Sequence, residues 1–143
     1  MRIGERILGV LLLMGAAVTA LYWWDYFSGG NVMALRARWY TAFESSFPVA
    51  DGGMALCMSV SGLGFVLQRR FAAPWGLMTG AALLYLAAMD ITFDVENGLY
   101  ASAATNSAMQ FEIFINVTTV LFGFATLVVS GRTLRRGIHP PNG

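Results

Sequence analysis

The chain has 143 residues, of which 57% are apolar and 12% are charged, and its formal net charge is +1. Because soluble domains carry fewer apolar residues and about twice as many charged ones, this composition excludes an ordinary soluble enzyme and a soluble nucleic-acid-binding module. The single cysteine, Cys57, excludes an intramolecular disulfide, a CxxC redox pair and a thiolate zinc site.

The first apolar run extends from Ile7 to Trp24 without a charged residue. At about 1.5 Å per residue, a helix of this length crosses most of a hydrocarbon core of roughly 30 Å. A cleaved signal peptide is the alternative, because Arg2 and Arg6 precede the run. The aromatic residues at its end are typical of an interfacial belt, however, so we predict a retained first span over residues 7–24.

A short amphipathic segment, Asn31 to Ser46, follows the first span. Its apolar residues recur near helical spacing at Val32, Leu35, Trp39, Tyr40 and Phe43. The segment is too short and too charged to cross a bilayer, so we predict a short interfacial helix in the first outward loop. Since Arg36 and Arg38 are two positions apart, they cannot share a helix face, and one of them is free to turn toward the bundle.

Three further apolar runs predict spans over residues 48–67, 72–91 and 108–130. Pro48 opens the second of the four spans, and Ser107 with Gln110 gives the S-x-x-Q pattern of a capping box before the fourth. The predicted fold is all-α: an integral membrane four-helix transmembrane bundle over residues 1–136. We expect residues 137–143 to form a disordered cytoplasmic tail.

Arginine is distributed unequally between the two ends of the predicted bundle. Only Arg36 and Arg38 flank the spans on one side, whereas seven arginines flank them on the other: Arg2, Arg6, Arg69, Arg70, Arg132, Arg135 and Arg136. By the positive-inside rule, both termini are cytoplasmic. We predict a multi-pass protein of the plasma membrane, most simply a bacterial inner membrane, with a single orientation.

The third span contains a GxxxG motif at Gly76 and Gly80. Such small residues let helices approach closely in lipid. Packing within one bundle is the simpler interpretation, and docking of a second copy or of another membrane protein is the alternative.

Carboxylates follow the opposite distribution to arginine, with Glu5 alone at the arginine-rich end. The other seven lie at or beyond the opposite end: Asp25, Glu44, Asp51, Asp90, Asp94, Glu96 and Glu112. Asp51 and Glu112 fall in the first turns of their helices, where the helix dipole stabilises a negative charge. Asp25, Asp90 and Asp94 fall at helix carboxyl ends, where the dipole disfavours them, so they require another explanation.

Two pairs of polar residues, Asp90 with Asp94 and Glu112 with Asn116, are each four residues apart and share a helix face. Polar seams of this kind normally face a bundle interior. We therefore expect an acidic extracytoplasmic cup, with Arg36 and Arg38 as candidate ion-pair partners. The candidate ligand-binding residues of this cup are Tyr22, Asp25, Asp51, Asp90, Asp94, Glu112 and Asn116.

The cup has four explanations: a structural ion-pair cluster, a site for a ligand or partner, a divalent-metal site, and an enzyme active site. Nothing in the sequence has the ordered ligand spacing of a known metal loop, so no metal site is predicted. No cofactor is predicted either, because the chain has no lysine for a Schiff base and its only histidine, His139, follows the last span.

We therefore expect a non-enzymatic accessory protein that binds a ligand or partner. The alternative is a small membrane-embedded isomerase or hydrolase that uses Asp90 and Glu112 as acid and base. Expected partners are the lipid bilayer, a lipid or small molecule, and a second copy or another membrane protein. Nucleic acid is not expected.

Overall fold

The computed structural model describes residues 3–30 and 32–138, and all regular secondary structure in these ranges is helical. The elements are α1 (Ile3–Ser28), α2 (Arg38–Glu44), α3 (Pro48–Val66), α4 (Ala72–Glu96), a short 3-10 helix (Leu99–Ala104) and α5 (Ser107–Ile138). Four stretches are long and apolar enough to span a membrane: Ile3–Ser28, Arg38–Val66, Ala72–Glu96 and Ser107–Arg136. The predicted all-helical fold class with four long apolar helices is confirmed.

Several helix ends differ from the predicted bounds. α4 continues past residue 91 to Glu96 and thereby includes Asp94. α5 extends to Ile138, and the remainder of the predicted disordered tail lies outside the described residues.

The prediction that Ser107 caps the last helix is wrong. The side chain of Asn106 instead accepts hydrogen bonds from the backbone N–H groups of Ala108 (3.0 Å) and Met109 (3.3 Å). Asparagine is among the best residues at this position because its short side chain reaches the free N–H groups of the first turn. Gln110 turns back to donate to the carbonyl oxygen of Ala103 instead of closing a capping box.

The segment predicted as an interfacial helix is helical only from Arg38 to Glu44. The carbonyl oxygens of Gly30 and Ala34 accept hydrogen bonds from the side chains of Arg36 and Asn106, and these contacts hold the preceding residues in a non-helical course. A short turn joins α2 to α3. Both Tyr40 and Glu44 are buried, so α2 directs these polar groups into the bundle.

The helices pack in the order α1, α3, α4, α5, each against the next. An apolar core runs along these contacts and includes Leu8, Leu12, Met58, Phe65, Ala72 and Leu83. The bundle has two ends. The basic end contains the start of α1, the turn between α3 and α4, and the last turns of α5; the acidic end is opposite.

Glycines allow close helix contacts toward the basic end. A Cβ on Gly62 would lie 2.8 Å from the carbonyl oxygen of Gly9, so α1 and α3 touch there backbone to backbone. The GxxxG glycines face α5: a Cβ on Gly76 would collide with Ser130, and one on Gly80 would lie 2.7 Å from Leu127 Cγ. Both glycines of this motif are therefore used in packing within the chain.

Candidate functional site

A cavity of about 500 Å³ lies between α1 and α5, with α3 and α4 behind it. It exists because α1 and α5, the first and last helices of the packing order, do not pack along their lengths. Its deep part is apolar and is lined by Gly15, Met58, Leu83, Leu86 and Phe122. Its rim includes the exposed side chains of Val18 and Leu21 on α1 and Phe114 on α5, so the cavity opens sideways between these two helices.

Four carboxylates line the cavity at the acidic end: Glu44, Asp51, Asp90 and Glu112. Asp51 lies in the first turn of α3, where the helix dipole favours a negative charge, and its Oδ2 accepts a hydrogen bond from Trp23 Nε1 at 2.9 Å. Since Trp23 belongs to α1, this contact ties α1 to α3 at the mouth of the cavity.

Tyr40 brings two of these carboxylates together. Its hydroxyl oxygen lies 2.7 Å from Glu44 Oε1 and 2.9 Å from Glu112 Oε2. A hydroxyl has one proton to donate, so both contacts are hydrogen bonds only when one of the two carboxyl groups carries a proton. Tyr40 and Glu44 were not predicted as site residues, although their spacing of four places both on one helix face.

Asp90, Asp94 and Glu112 form a second cluster, which we call the carboxylate triad. One carboxylate oxygen from each residue lies within 4.8 Å of those of the other two. Asp90 and Asp94 lie one turn apart on α4, and Glu112 faces them from α5. Asp94 is fully buried, and neither of its oxygens has a hydrogen-bond partner.

Tyr100, from the 3-10 helix, lies beside the triad and was also not predicted. Its hydroxyl oxygen accepts a long hydrogen bond from Asn116 Nδ2 at 3.5 Å. Burial, together with the nearby charge of Asp94, raises the pKa of Tyr100 to about 12. The hydroxyl therefore keeps its proton at neutral pH and lies close enough to influence Asp94, although the geometry falls short of a full hydrogen bond.

The predicted cup residues divide into two groups. Tyr22, Asp51, Asp90, Glu112 and Asn116 line the cavity, whereas Asp94 belongs to the triad and is not a lining residue. Asp25 is not among the lining residues. Its carboxylate accepts a hydrogen bond from Val32 N at 3.1 Å and its carbonyl oxygen accepts bonds from Gly29 and Gly30, so Asp25 organises the turn after α1.

Arg36 and Arg38 do not lie over the cavity. Arg36 donates to the carbonyl oxygen of Gly30 at 3.3 Å, and both arginines line a shallow surface depression beside α2, with Thr41 and Ser45. Within residues 3–30 and 32–138, no ion pair joins either arginine to a carboxylate of the cavity or of the triad. The acidic end thus combines an apolar cavity with several carboxylates and no cationic side chain among them.

Comparisons with protein-family models, with curated proteins and with solved structures give no match to this chain. The geometry of this site is therefore the basis for assigning a function.

Proposed function

We propose that the chain is a multi-pass protein of the plasma membrane, in a bacterium the inner membrane, with both termini in the cytoplasm. Four helices of sufficient length and hydropathy support membrane insertion. The excess of arginine at the basic end supports the orientation, because positively charged loops remain on the cytoplasmic side. In this orientation the acidic end, with its cavity, faces outward, and α2 lies at the outer membrane surface.

Within the membrane, the protein acts as a non-enzymatic accessory protein that binds an amphipathic ligand with a cationic headgroup. The observation that carries this proposal is an apolar cavity whose acidic end has four lining carboxylates and, among residues 3–30 and 32–138, no cationic side chain. Its volume falls within the roughly 300–1,000 Å³ range of small-molecule sites.

A cationic headgroup suits the acidic end for two reasons. Charged carboxylates are costly to bury unless a counter-charge accompanies them, and an ammonium group would provide that charge. Tyr22, Trp23 and Phe47 also line the cavity, and aromatic faces attract alkylated ammonium groups. The hydrocarbon part of the ligand would extend toward Gly15 and Met58, about 10 Å deeper than Tyr22 at the helical rise of 1.5 Å per residue.

The sideways opening supplies a route of entry. Val18 and Leu21 on α1 and Phe114 on α5 border it and are exposed, and in a bilayer these side chains would contact acyl chains. A ligand already dissolved in the membrane would enter between α1 and α5 without crossing the loops of the acidic end.

The test is a comparison of two probes in nanodiscs of neutral lipid: an alkyltrimethylammonium and its uncharged carbon analogue of equal chain length. We expect the cationic probe to bind about tenfold more tightly, equivalent to one favourable charge interaction of about 1.4 kcal/mol. The Asp51→Asn/Glu44→Gln variant should lose this preference. Glu96→Gln, an exposed carboxylate at the same end, is the control and should keep it. Equal affinity for the two probes in the wild type would overturn the proposal.

A small membrane enzyme is the second candidate. It is favoured by the close approach of Asp90 and Glu112, because neighbouring carboxyl groups of which one is protonated can act as acid and base. An isomerase or hydrolase of this type would convert a substrate from a total membrane-lipid extract, and both Asp90→Asn and Glu112→Gln would abolish the conversion while preserving helicity. If incubation with the wild-type protein leaves the composition of the lipid extract unchanged, that result counts against this candidate.

A further inference from the structure

The carboxylate triad shares Asp90 and Glu112 with the cavity lining and adds Asp94, and two of its three members are almost fully buried. Asp94 is 0% exposed and Glu112 is 7% exposed, while Asp90 is half-buried. Their three closest oxygens lie within 4.8 Å of one another. Three carboxylates this close repel one another strongly where water is largely excluded, so this geometry requires positive charge or protons.

Asp94 is the decisive member. Both of its oxygens are buried without a hydrogen-bond partner, although buried polar groups are normally satisfied. The carboxyl end of α4 worsens its environment, because the helix dipole places partial negative charge there. The neutral hydroxyl of Tyr100 is the donor nearest to Asp94, and it brings no positive charge. A buried carboxylate that faces two others under these conditions points to a ligand that brings positive charge into the triad.

The chain supplies no such charge in the part that the structure describes. Arg36 is directed to Gly30, Arg38 lies at the surface depression beside α2, and the single ion pair within residues 3–30 and 32–138 joins Arg136 to Glu5 at the basic end. We propose that Asp90, Asp94 and Glu112 form a binding site for a hard divalent cation of the size of Ca²⁺.

The chemistry of the donors favours this class of ion. Carboxylate oxygens are the preferred ligands of Ca²⁺, and each of the three groups can coordinate through one oxygen or two. With metal–oxygen distances of about 2.3–2.6 Å, ligands on opposite sides of the ion are about 4.6–5.2 Å apart and adjacent ones are closer. A spread within 4.8 Å therefore admits such an ion between the three residues. The absence of cysteine and histidine from the triad disfavours zinc.

The cation site shares Asp90 and Glu112 with the cavity, but each of the two sites also has residues of its own. Asp94 does not line the cavity, and Glu44 and Asp51 do not belong to the triad. A variant of Asp94 therefore tests the cation site, whereas variants of Glu44 and Asp51 test the cavity. Either proposal can fail without the other.

The experiment uses the full chain in nanodiscs of neutral lipid, stripped with a chelator, and compares the wild type with Asp94→Asn and Glu96→Gln. Tb³⁺, which substitutes for Ca²⁺, reports binding through luminescence sensitised by nearby aromatic groups, and Tyr40 and Tyr100 lie beside the triad. Ca²⁺ is then added to displace Tb³⁺, with Mg²⁺ for comparison. The midpoint of thermal unfolding is measured for each protein with and without Ca²⁺.

For the wild type and Glu96→Gln we expect sensitised Tb³⁺ emission that Ca²⁺ reverses, and a rise in Tm of about 5 °C when Ca²⁺ exceeds its Kd about 100-fold. Asp94→Asn should bind about tenfold or more weakly because it removes one charged ligand. The order of the two Tm values should also reverse with Ca²⁺. Without Ca²⁺, Asp94→Asn should have a higher Tm than the wild type, because an unpaired buried charge is gone. With Ca²⁺, it should have a lower Tm than the wild type.

No displaceable Tb³⁺ emission and no Ca²⁺-dependent Tm in the wild type would overturn the proposal. Equal responses of Asp94→Asn and Glu96→Gln would do the same, since the ion would then bind elsewhere. If Asp94→Asn does not retain the helicity of the wild type, Asp90→Asn gives the same comparison at the half-buried member of the triad.

Discussion

The two ends of the bundle bury carboxylates under opposite conditions. At the basic end, Glu5 is 4% exposed and its Oε1 accepts hydrogen bonds from Thr133 Oγ1 at 2.7 Å and from Arg136 Nη1 at 3.1 Å. At the acidic end, Asp94 is fully buried, and neither of its oxygens has a hydrogen-bond partner in the described part of the chain. Burial is common to both ends, and they differ in whether the protein supplies the counter-charge itself. The basic end supplies its own counter-charge, whereas the acidic end shows none among the residues that the structure describes.

The two ends also differ in packing: the basic end is closely packed and the acidic end is open. Toward the basic end, α1 and α3 meet at Gly9 and Gly62, and Gly76 lies directly against Ser130. Toward the acidic end, α1 and α5 separate and leave the cavity. Close packing of small residues is a main source of stability for helices in lipid, so we expect the basic end to hold the bundle together.

The largest effect should come from breaking that close contact. Gly62→Val would place a branched side chain 2.8 Å from the carbonyl oxygen of Gly9, and neither backbone can move away without separating α1 from α3. We expect a loss of about 3 kcal/mol in the free energy of unfolding, measured by denaturation in mixed micelles. Gly52→Ala on the same helix is the control, because a Cβ there meets nothing within 4 Å. Equal stability of the two variants would contradict the assignment of this crossing.

A smaller loss should follow removal of the Tyr40 hydroxyl. Tyr40→Phe deletes the group that contacts both Glu44 and Glu112 and leaves their carboxylates facing an apolar edge. We expect a cost of about 2 kcal/mol, since buried acceptors lose a donor. Tyr85→Phe, at an exposed position on α4, should change stability very little. A double-mutant cycle with Glu112→Gln isolates the contact, and additive effects would show that Tyr40 does not couple to Glu112.

Hydropathy was sufficient to predict the four long helices, because a charge-free run of this length has few other stable structures. The spacing of four between Asp90 and Asp94 likewise predicted a shared face. The place of Glu44 could not be predicted in the same way. Glu44 lies in a short segment whose course depends on a hydrogen bond from the Asn106 side chain to the carbonyl oxygen of Ala34. These two residues are 72 positions apart, and no local sequence pattern predicts a contact over that separation.

The arginines illustrate a second limit. Counting charges predicts which residues could form ion pairs, but it does not predict which backbone oxygens compete for the same arginine. Arg36, for example, donates to the carbonyl oxygen of Gly30. The triad could not be predicted from spacing along the chain either. Asp90 and Asp94 share a face by spacing, but the approach of Glu112 depends on how α4 and α5 rotate about their axes, which the packing of Gly76 and Gly80 against α5 determines.

Neutralising a buried carboxylate should change stability in opposite directions at the two ends of the bundle. Glu5→Gln removes a charge that Arg136 balances, so we expect a loss of about 1 kcal/mol, a modest value because Arg136 is 44% exposed. Glu112→Gln removes a charge that no cationic side chain balances and retains an acceptor for Tyr40, so the chelator-treated protein should gain about 1 kcal/mol. Both variants are measured by thermal unfolding in one lipid. A loss at both positions would show that the acidic end is already balanced within the chain.

The smallest effect tests whether the mouth of the cavity is held by the chain itself. Trp23→Phe keeps an aromatic ring in the cluster beside Tyr22 and Tyr26 but removes the indole N–H that Asp51 accepts at 2.9 Å. Hydrogen bonds to charged groups are stronger than neutral ones, but this one is only half-buried and water competes for the carboxylate. We therefore expect a loss of about 0.5–1 kcal/mol and a folded bundle with a slightly lower unfolding midpoint. The adjacent Trp24→Phe is the control, because Trp24 is 75% exposed.

If Asp51 serves the cavity as a charge and Trp23 only orients it, the cationic probe should bind Trp23→Phe a few-fold more weakly while still being preferred over its uncharged analogue. If instead Trp23→Phe abolishes that preference as completely as Asp51→Asn/Glu44→Gln does, the indole itself must contact the headgroup, and the acidic end recognises its ligand through aromatic faces more than through charge.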